Sequence, residues 1–551
     1  MTITELQQQY AVHPNVTAMN RLLKDVSVKH IFCGGLCASS ASLFFSVLVR
    51  KETCPFVFIL SDLEEAGYFY HDLTQVLGGE RILFFPSSFR RAIKYGQKDA
   101  ANEILRTEVL SRLQKGEKGL CVVTYPDALA EKVVSRKELS DKTLKLGVGE
   151  RVDSTFVTDV LHSYGFEYVD YVYEPGQYAV RGSIIDVFSF SSEYPYRIDF
   201  FGDEVESIRT FEVDSQLSRE KKDSIVIVPD LAVTGMASTS FLDFIPRDAV
   251  LAMRDFLWLR ERIQSVHDEA LTPQAIAVQE AEENGGITLE GKLIDGSEFT
   301  VHALDFRRLE FGNKPTGTAD ATVSFDVTAQ PIFHKNFDLA AASFQEYQEK
   351  GYSLYICSDS TKQTDRIRAI FEDRGDKISF IAVARTLHEG FADNELRLCV
   401  FTDHQLFDRF HKYNLKSDKA RSGKVALSLK ELNQFTPGDY VVHTDHGVGR
   451  FSGLVRIPNG DTTQEVMKLV YQNDDVVFVS IHSLHKVSKY KGKEGEPPRL
   501  NKLGTGAWEK LKERTKTKIK DIARDLIKLY SQRREEKGFA YSPDSFLQRE
   551  L

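Results

Sequence analysis

Over the first 135 residues, short apolar runs alternate with segments of helical spacing. Val28–Cys33, Phe56–Leu60 and Leu120–Thr124 are apolar without alternation, whereas Ser39–Lys51 and Ala100–Gln114 carry apolar residues at helical spacing. Strands that are buried on both faces and separated by helices are typical of a parallel sheet covered on both sides. The pattern therefore predicts a parallel α/β domain.

After residue 140 the pattern changes to alternating, aromatic-rich segments separated by glycine turns. Tyr178–Val187, Tyr196–Phe201 and Val205–Val213 have the alternation of half-buried strands. They predict a mostly antiparallel domain inserted into the first one. Helical spacing returns at Pro246–Gln264 and Pro273–Glu283, which predicts two further helices.

The second half of the chain contains two smaller patterns. A polar stretch at Gly312–Asp320 predicts a linker, after which the strand-like Ser353–Cys357 and the helical Thr361–Arg374 predict a compact, flavodoxin-type sheet. From Gly438 the predicted strands are short and closely spaced. Asn459–Gly460 lies between two of them and is a strong hairpin signal, so this segment predicts a small barrel.

Together these patterns predict a multidomain chain of α/β and α+β class. Its parts are a parallel α/β domain with a mostly antiparallel insertion, a small flavodoxin-like α/β domain, a small Tudor- or SH3-like β-barrel and an amphipathic helix that begins at Trp508. The predicted boundaries are 1–140 and 216–320 for the interrupted α/β domain, 141–215 for the insertion, 321–425 for the flavodoxin-like domain, 426–500 for the barrel and 501–551 for the helix.

Composition restricts the possible partners. The 551 residues are 42% hydrophobic and 27% charged, with a net charge of −9, which argues against a protein that coats nucleic acid over its whole surface. Residues 501–540 differ, with twelve Lys and Arg against six Asp and Glu and a local charge of +6. Such a basic helix suits phosphate contact or, more often, a solvated face or docking to a protein.

The cysteine pattern and the distribution of apolar residues bear on compartment and metal binding. The six cysteines include no C-x-x-C pair. The chain has no signal-peptide pattern and no apolar run of about 18 residues. The sequence therefore predicts reduced thiols, no metal site, no membrane segment and a cytoplasmic location.

One loop resembles a phosphate-binding motif that has lost its cation. Gly35 and Ser42 match the first and last positions of G-x-x-x-x-G-K-[ST], but Ser40 replaces the second glycine and Ala41 replaces the lysine. Without an ammonium to neutralise the β- and γ-phosphates, the loop should hold nucleotide poorly. Three interpretations stay open: a relic of a nucleotide-binding fold, a small-residue turn that lets a helix approach a sheet, and live ATP binding.

Two other motifs have simpler structural explanations. Asp268–Leu271 reads like the acidic motif of helicase motors, but it lies in a polar, helical stretch instead of at the end of a buried strand. His443 and His446 flank a predicted turn between two strands, so a hairpin explains them better than a metal pair. No spacing of Ser, His, Asp or Glu indicates a catalytic site.

Three segments carry a resemblance to a known family. Glu174–Phe188 and Tyr196–Arg209 resemble the domain shared by the excision-repair protein UvrB and the bacterial transcription-repair coupling factors. Gly438–Leu454 is similar to the RNA-polymerase-interacting module of the coupling factors, which also occurs in the CarD family. The order of these motifs is that of the coupling factors.

The resemblance implies a scaffold attached to a motor. Coupling factors are ATP-dependent DNA translocases that displace stalled RNA polymerase and recruit UvrA, and their motor follows the polymerase-interacting module. The resemblance therefore implies an amino-terminal portion with UvrB-like domains and a relay helix that leads to the motor. ATP, magnesium and most DNA contact belong to that motor, and this portion itself needs no cofactor.

The resemblance also implies site residues. By their positions in the matched segments, the UvrA contacts of the family carry over to Arg181, Arg197 and Phe201. Residues of these types also suit an interface, since Arg and aromatic residues dominate interface hot spots. A structural alternative pairs the arginines with Asp199 or Glu204 and buries the phenylalanine.

For RNA polymerase, the family adds an edge strand of its module to a sheet of the β subunit. Glu465–Tyr471 is the candidate strand, with Val466 and Leu469 as the residues to test. Two alternatives to the scaffold stay open: an ATP-binding excision-repair protein of UvrB type, and a CarD-like transcription regulator fused to other domains.

Overall fold

The structure is a computed structural model that describes residues 1–88, 100–213, 215–231, 238–272, 291–409, 411, 413, 436–459, 462–480, 487–490 and 498–518. The chain divides into two compact units. Unit 1 comprises Met1–Val213 and Leu217–Gly423, and unit 2 comprises Asp214–Gln216 and Lys424–Leu551.

Unit 1 is built from helices and strands in three sheets of four or more strands. Its helices are α1 (Ile3–Tyr10), α2 (Pro14–Lys24), α3 (Ser40–Val49), α4 (Leu63–Leu77), α5 (Ala100–Gln114), α6 (Pro126–Leu129), α7 (Arg136–Asp141), α8 (Ser154–Ser163), α9 (Phe241–Phe244), α10 (Phe256–Ala270), α11 (Gly296–Ala303), α12 (Phe337–Glu349), α13 (Thr361–Asp373) and α14 (Asp403–Leu406). Its strands are β1 (His30–Gly34), β2 (Phe56–Ile59), β3 (Ile82–Phe84), β4 (Cys121–Thr124), β5 (Leu144–Gly147), β6 (Glu167–Tyr168), β7 (Gln177–Arg181), β8 (Ile184–Val187), β9 (Tyr196–Phe201), β10 (Glu204–Phe211), β11 (Ser218–Lys222), β12 (Ser224–Ile227), β13 (Val250–Met253), β14 (Arg307–Gly312), β15 (Ala321–Ser324), β16 (Val327–Ala329), β17 (Ser353–Ser358), β18 (Ile381–Ala384), β19 (Phe391–Asp393) and β20 (Leu398–Thr402).

The first sheet is parallel and has the order β15-β1-β14-β13-β2-β4-β3. Strands β13, β14 and β15 follow the insertion in sequence, yet β13 lies between β14 and β2. The prediction of a parallel domain interrupted by a second domain is therefore confirmed. The interior strands β2 and β4 are fully buried and apolar, as their sequences without alternation indicate.

Two sequence predictions for this region are wrong in detail. The predicted helix at Pro246–Gln264 contains the buried strand β13 before helix α10 begins at Phe256. A four-residue apolar run next to a helix gives no periodicity that separates strand from helix. The predicted boundary at 320 cuts off β15, which pairs with β1 and completes the first sheet. The predicted helix at Pro273–Glu283 lies outside the described residues.

The insertion is a six-stranded sheet with the order β11-β10-β9-β8-β7-β6, antiparallel except for the β6–β7 pair. One face packs against Val157 and Leu161 of α8 and forms an apolar core. The predicted strand Tyr178–Val187 is two strands, because Gly182 takes a left-handed φ of 61° in the turn between them. The prediction of a mostly antiparallel insertion is confirmed, but its predicted end at residue 215 is wrong, because β11 pairs with β10 beyond that point.

The small α/β part of unit 1 has a mixed sheet with the order β16-β19-β20-β17-β18. Strands β17, β18 and β20 run parallel, β19 pairs antiparallel with β20, and β16 pairs antiparallel with β19. Helices α12 and α13 lie at the predicted positions and pack on β17. The α/β alternation is thus observed, but the sheet is not the all-parallel one of a flavodoxin.

Unit 2 contains an antiparallel sheet with the order β24-β23-β22-β21-β25. The pairing of Asn459 with Thr462 confirms the predicted hairpin, while closure into a barrel stays a prediction. A helix spans 507–518, and the remaining predicted helical positions lie outside the described residues. Among the described helices, none has the length and apolar character needed to cross a membrane. The strands are β21 (Tyr440–His443), β22 (Gly447–Asn459), β23 (Thr462–Val470), β24 (Val476–Ser480) and β25 (Val487–Lys489).

Candidate functional site

The loop with the degenerate phosphate motif connects β1 to α3. Gly35 has a φ of 87°, and a Cβ at this position would overlap the carbonyl oxygen of Phe325. Ser40 bonds back to Cys37 of its own loop. Ala41 is 2% exposed, so a side chain at the position of the missing lysine faces protein interior. The small residues thus serve close packing of the loop.

A carboxylate of the chain itself occupies the amino-terminal end of α3. Asp72 accepts hydrogen bonds from Ser39 Oγ at 2.6 Å and Ser42 Oγ at 2.9 Å, and from the backbone N–H of His388 at 2.8 Å. Burial raises the pKa of Asp72 to about 6. These donors lie where a phosphate-binding loop directs its donors at a phosphate. The internal carboxylate therefore competes with a nucleotide for this end of the helix.

A pocket of about 290 Å³ opens beside this loop and has acidic walls. Carboxylates outnumber the guanidinium of Arg254 in its lining, and Arg254 is itself bonded to Glu65 at 2.6 Å. An acidic wall repels phosphates. Of the three interpretations that the sequence leaves open, this environment disfavours live ATP binding at the loop. The acidic lining residues are Asp62, Glu64, Glu65, Asp72 and Glu389.

The face of the inserted sheet that does not pack on α8 carries the predicted UvrA-binding residues. Register places Arg181 opposite Ile184 and Arg197 opposite Asp186. Because side chains alternate along a strand, Asp186 shares a face with Ile184, and Phe201 shares it with Arg197. The three predicted residues Arg181, Arg197 and Phe201 therefore lie on one face of the sheet.

A buried aspartate holds both arginines in place. Arg197 donates to Asp186 through Nε and Nη2, each at 2.8 Å, and Arg181 donates to the same carboxylate. Asp186 is fully buried. The guanidinium of Arg181 also lies over the ring of Tyr171 at 5.0 Å, and that of Arg197 lies over Phe211 at 4.4 Å. The principal partner of the two arginines is thus Asp186, and not Asp199 or Glu204 as the structural alternative expected.

The three predicted residues differ in how far a partner can reach them. The side chain of Arg197 is 16% exposed and that of Arg181 is 37% exposed, whereas Phe201 is 79% exposed. Phe201 lies at the same end of the sheet as Arg181, because the neighbouring Phe200 donates to the carbonyl of Ser183 in the β7–β8 turn. We call Arg181 and Phe201 the Phe201 surface. The alternative in which this phenylalanine packs in the core is wrong.

The predicted polymerase-facing strand is not an edge. Residues Glu465–Tyr471 fall largely on β23, which pairs with β22 on one side and with β24 on the other. Val466 is 2% exposed and Leu469 is fully buried, so neither offers a side chain to a partner. The prediction is wrong because the order of strands in a sheet depends on contacts between distant segments, which local alternation does not encode.

Among the described strands of this sheet, β24 lies at one edge, and it carries exposed apolar side chains. Val476 and Phe478 are 39% and 49% exposed, while Val479 on the same strand is 4% exposed. Phe478 lies opposite Lys468. The signal in the sequence was the run Val476–Ser480 directly after the turn at Asn473. We call Val476 and Phe478 on this strand the β24 edge.

The helix over 507–518 is anchored to the hairpin of β21 and β22. Trp508 Nε1 donates to the carbonyl of Thr444 at 2.8 Å, and Lys512 donates to the same oxygen at 3.1 Å. Gly447 lies so close to the indole that a Cβ would contact it at 3.0 Å. Leu511 on the same helix stays 53% exposed. The tryptophan therefore docks on its own unit, and His443 and His446 belong to the turn as the sequence predicts.

Leu469→Ala is expected to loosen the sheet of unit 2. Removing a fully buried leucine side chain costs about 2–5 kcal/mol of unfolding free energy. Hydrogen-exchange mass spectrometry should show faster exchange in peptides from 462–480 and unchanged exchange in β2 and β4. The control Val476→Ala removes a partly exposed side chain and should change exchange far less. Equal protection in Leu469→Ala and wild type would contradict the buried position.

Two segments of the chain match known protein domains, and each segment contains one of the two surfaces. Residues 144–232 match the UvrB interaction domain, and residues 435–491 match the CarD-like/TRCF RID domain. The first match contains the Phe201 surface and the second contains the β24 edge.

The chain is also similar to whole proteins. It is 24% identical over 601 residues to a transcription-repair-coupling factor of Bacillus subtilis (strain 168), with 95% of this chain and 50% of that protein covered. It is 24% identical over 588 residues to one of Staphylococcus aureus (strain bovine RF122 / ET3-1), with 93% and 49% covered. The chain thus spans about half the length of the curated relatives it matches. These matches confirm the resemblance that the sequence motifs indicate.

Proposed function

We propose that this chain is the non-catalytic scaffold of a transcription-repair coupling factor, which binds RNA polymerase through unit 2 and recruits UvrA through the inserted domain of unit 1. The observation that carries the proposal is that each matched domain presents an exposed apolar residue on a rigid sheet: Phe201 in the first and Phe478 in the second. A protein that serves as a bridge between two partners needs two such separate surfaces.

The Phe201 surface has the properties of a protein-docking site. Phe201 supplies a large apolar area, and Arg181 supplies a guanidinium that is already fixed by Asp186 and Tyr171. A preorganised side chain loses little conformational entropy on binding. In this proposal Phe201 and Arg181 contact UvrA directly, while Arg197 holds Asp186 and acts as a positioning residue.

The β24 edge suits strand addition to the polymerase. An edge strand offers backbone N–H and C=O groups that pair with a strand of the partner, and its alternating side chains set the register. Val476 and Phe478 supply those side chains on the exposed face. We assign the partner strand to the β subunit, as the family's binding mode implies. The alternative of a CarD-like regulator shares this surface but gives no role to the Phe201 surface.

In the proposed scaffold function, this chain carries out no catalytic step and needs no cofactor. ATP and magnesium belong to the translocase motor that the similarity implies, and most DNA contact belongs there too. The internal carboxylate of Asp72 and the buried Ala41 support this assignment, because both oppose a nucleotide at the degenerate loop.

ATP titration separates the scaffold from the alternative of an ATP-binding, UvrB-type protein. We expect no saturable binding of ATP with magnesium to the purified chain, or a Kd weaker than about 1 mM, in isothermal titration calorimetry. The physical reason is the missing ammonium together with the acidic pocket wall. A micromolar Kd that disappears on Ser42→Ala would favour the UvrB-type alternative.

A further inference from the structure

Four histidines from separate segments of unit 1 meet at one place. His71 lies on α4, His388 follows β18, His404 lies on α14 and His411 follows that helix. The rings of His404 and His411 stack with their centres 4.4 Å apart, and the ring centre of His71 is 4.9 Å from that of His411. The cluster joins the parallel-sheet domain to the small α/β domain.

Three of these side chains bring one ring nitrogen each to the same place. One nitrogen from each of His388, His404 and His411 lies within 4.8 Å of the other two. The Nδ1 atoms of all three are buried and have no hydrogen-bond partner among the described residues. His71 Nε2 is buried without a partner in the same sense. Buried nitrogens without a hydrogen-bond partner are costly, and several of them close together suit a cation that they could share.

Surrounding groups fix the orientation of the rings. His404 Nε2 lies 2.6 Å from the carbonyl oxygen of His388, so the ring carries its proton on Nε2 and leaves a lone pair on Nδ1. A ring N–H that donates to a backbone carbonyl is the usual outer contact of a metal-binding histidine. The ring of Tyr68 stacks on that of His388 with the ring centres 3.4 Å apart, and its hydroxyl donates a hydrogen bond to the carbonyl oxygen of His411 at 2.7 Å. The cluster is thus held in position before any ligand binds.

The alternative is that neutral imidazoles simply fill the contact between two domains. Stacking accounts for the contacts of the ring faces, but it leaves the Nδ1 atoms without hydrogen-bond partners in the described part of the chain. The carboxylate oxygen Oδ1 of Asp403 lies 3.8 Å from His404 Nδ1.

We propose that His388, His404 and His411 form a site for a divalent transition metal, with zinc as the ion that fits best and His71 as the nearest candidate for a fourth ligand. Imidazole ligands favour zinc, copper and nickel over magnesium or calcium. Four-coordinate zinc with Zn–N bonds near 2.0–2.1 Å places nitrogens roughly 3.3 Å apart, so the rings approach by about 1.5 Å at most. With His71 as the fourth ligand, the bound ion would link the small α/β domain to α4.

Zinc titration of the tag-free, EDTA-treated chain tests this site. We expect one zinc per chain with a Kd below about 1 µM by isothermal titration calorimetry. His388→Ala and His411→Ala should each weaken binding at least about tenfold, since removing a ligand costs no less than disturbing its outer contacts. The control His162→Gln changes an exposed histidine of α8 and should leave binding unchanged. Far-UV circular dichroism verifies that each variant is folded.

A second measurement needs no variant. Zinc K-edge absorption of the wild-type complex should report at least three imidazole ligands at about 2.0–2.1 Å. Binding weaker than about 100 µM, fewer than three imidazoles in the spectrum, or equal affinity in folded His388→Ala, His411→Ala and wild type would each overturn the site.

Discussion

Phe201→Asp is expected to weaken binding to UvrA at least about 30-fold while the chain stays folded. A central aromatic anchor of a protein interface contributes about 2 kcal/mol or more when it is removed, and a carboxylate in its place also has to be desolvated against the partner. The ring is 79% exposed, so its replacement leaves no cavity. Biolayer interferometry with immobilised UvrA measures the change, and thermal unfolding should show no shift beyond about 1 °C.

The control for this substitution lies in the same domain. Phe156→Asp replaces an exposed phenylalanine, 53% accessible, on helix α8, which covers the opposite face of the sheet. We expect UvrA to bind this variant as it binds wild type. If Phe201→Asp binds UvrA with wild-type affinity, the face with Arg181 is not the interface. Equal losses in both variants would point to a general effect of added charge.

Phe478→Glu is expected to remove detectable binding to the β subunit of RNA polymerase. The side chain lies on the exposed face of an edge strand, and a partner strand paired with β24 places its own side chains directly beside it. A buried, unpaired carboxylate at that position opposes pairing by several kcal/mol. Pull-down of purified β subunit and interferometry measure the loss. Hydrogen exchange in β22 should be unchanged, because Phe478 is only half-buried.

Leu454→Glu is the matched control for the β24 edge. Leu454 is 42% exposed and lies on the interior strand β22, opposite the buried Met467, so it is on the other face of the sheet from Phe478. Binding of the β subunit should survive this change. Retained binding in Phe478→Glu together with loss in Leu454→Glu would move the interface away from the edge strand.

The sequence predicts the local structure of this chain well and its strand order less well. Buried runs such as Phe56–Leu60 and helices such as Ala100–Gln114 are observed within one or two residues, because apolar periodicity acts over a few neighbouring positions. Strand β13 was taken for part of a helix, and β15 was placed in the wrong domain. Both errors concern strands that pair with a segment more than a hundred residues earlier in the chain, β2 for β13 and β1 for β15, and only the assembled sheet identifies these pairs.

The candidate sites show the same division. Alternation along β9 places Arg197 and Phe201 on one face, and the resemblance selects them, so that part was predictable. The role of Asp186 was missed because a single buried carboxylate within an apolar strand looks like an ordinary polar position. The apolar character of Leu469 makes it a candidate contact residue in the sequence. On a central strand, however, this apolar side chain is buried. At the edge of the sheet, the exposed side chain is that of Phe478, and no local sequence pattern indicates which strand is outermost.

The proposed scaffold has two separate protein-docking surfaces, and binding to each partner measured alone tests both of them. The measurement compares the binding of wild type, Phe201→Asp and Phe478→Glu to UvrA and to the polymerase β subunit. We expect that wild type binds both, that Phe201→Asp loses only UvrA, and that Phe478→Glu loses only the β subunit. Loss of both partners in one variant, or binding of neither partner by the folded wild type, would contradict this proposal.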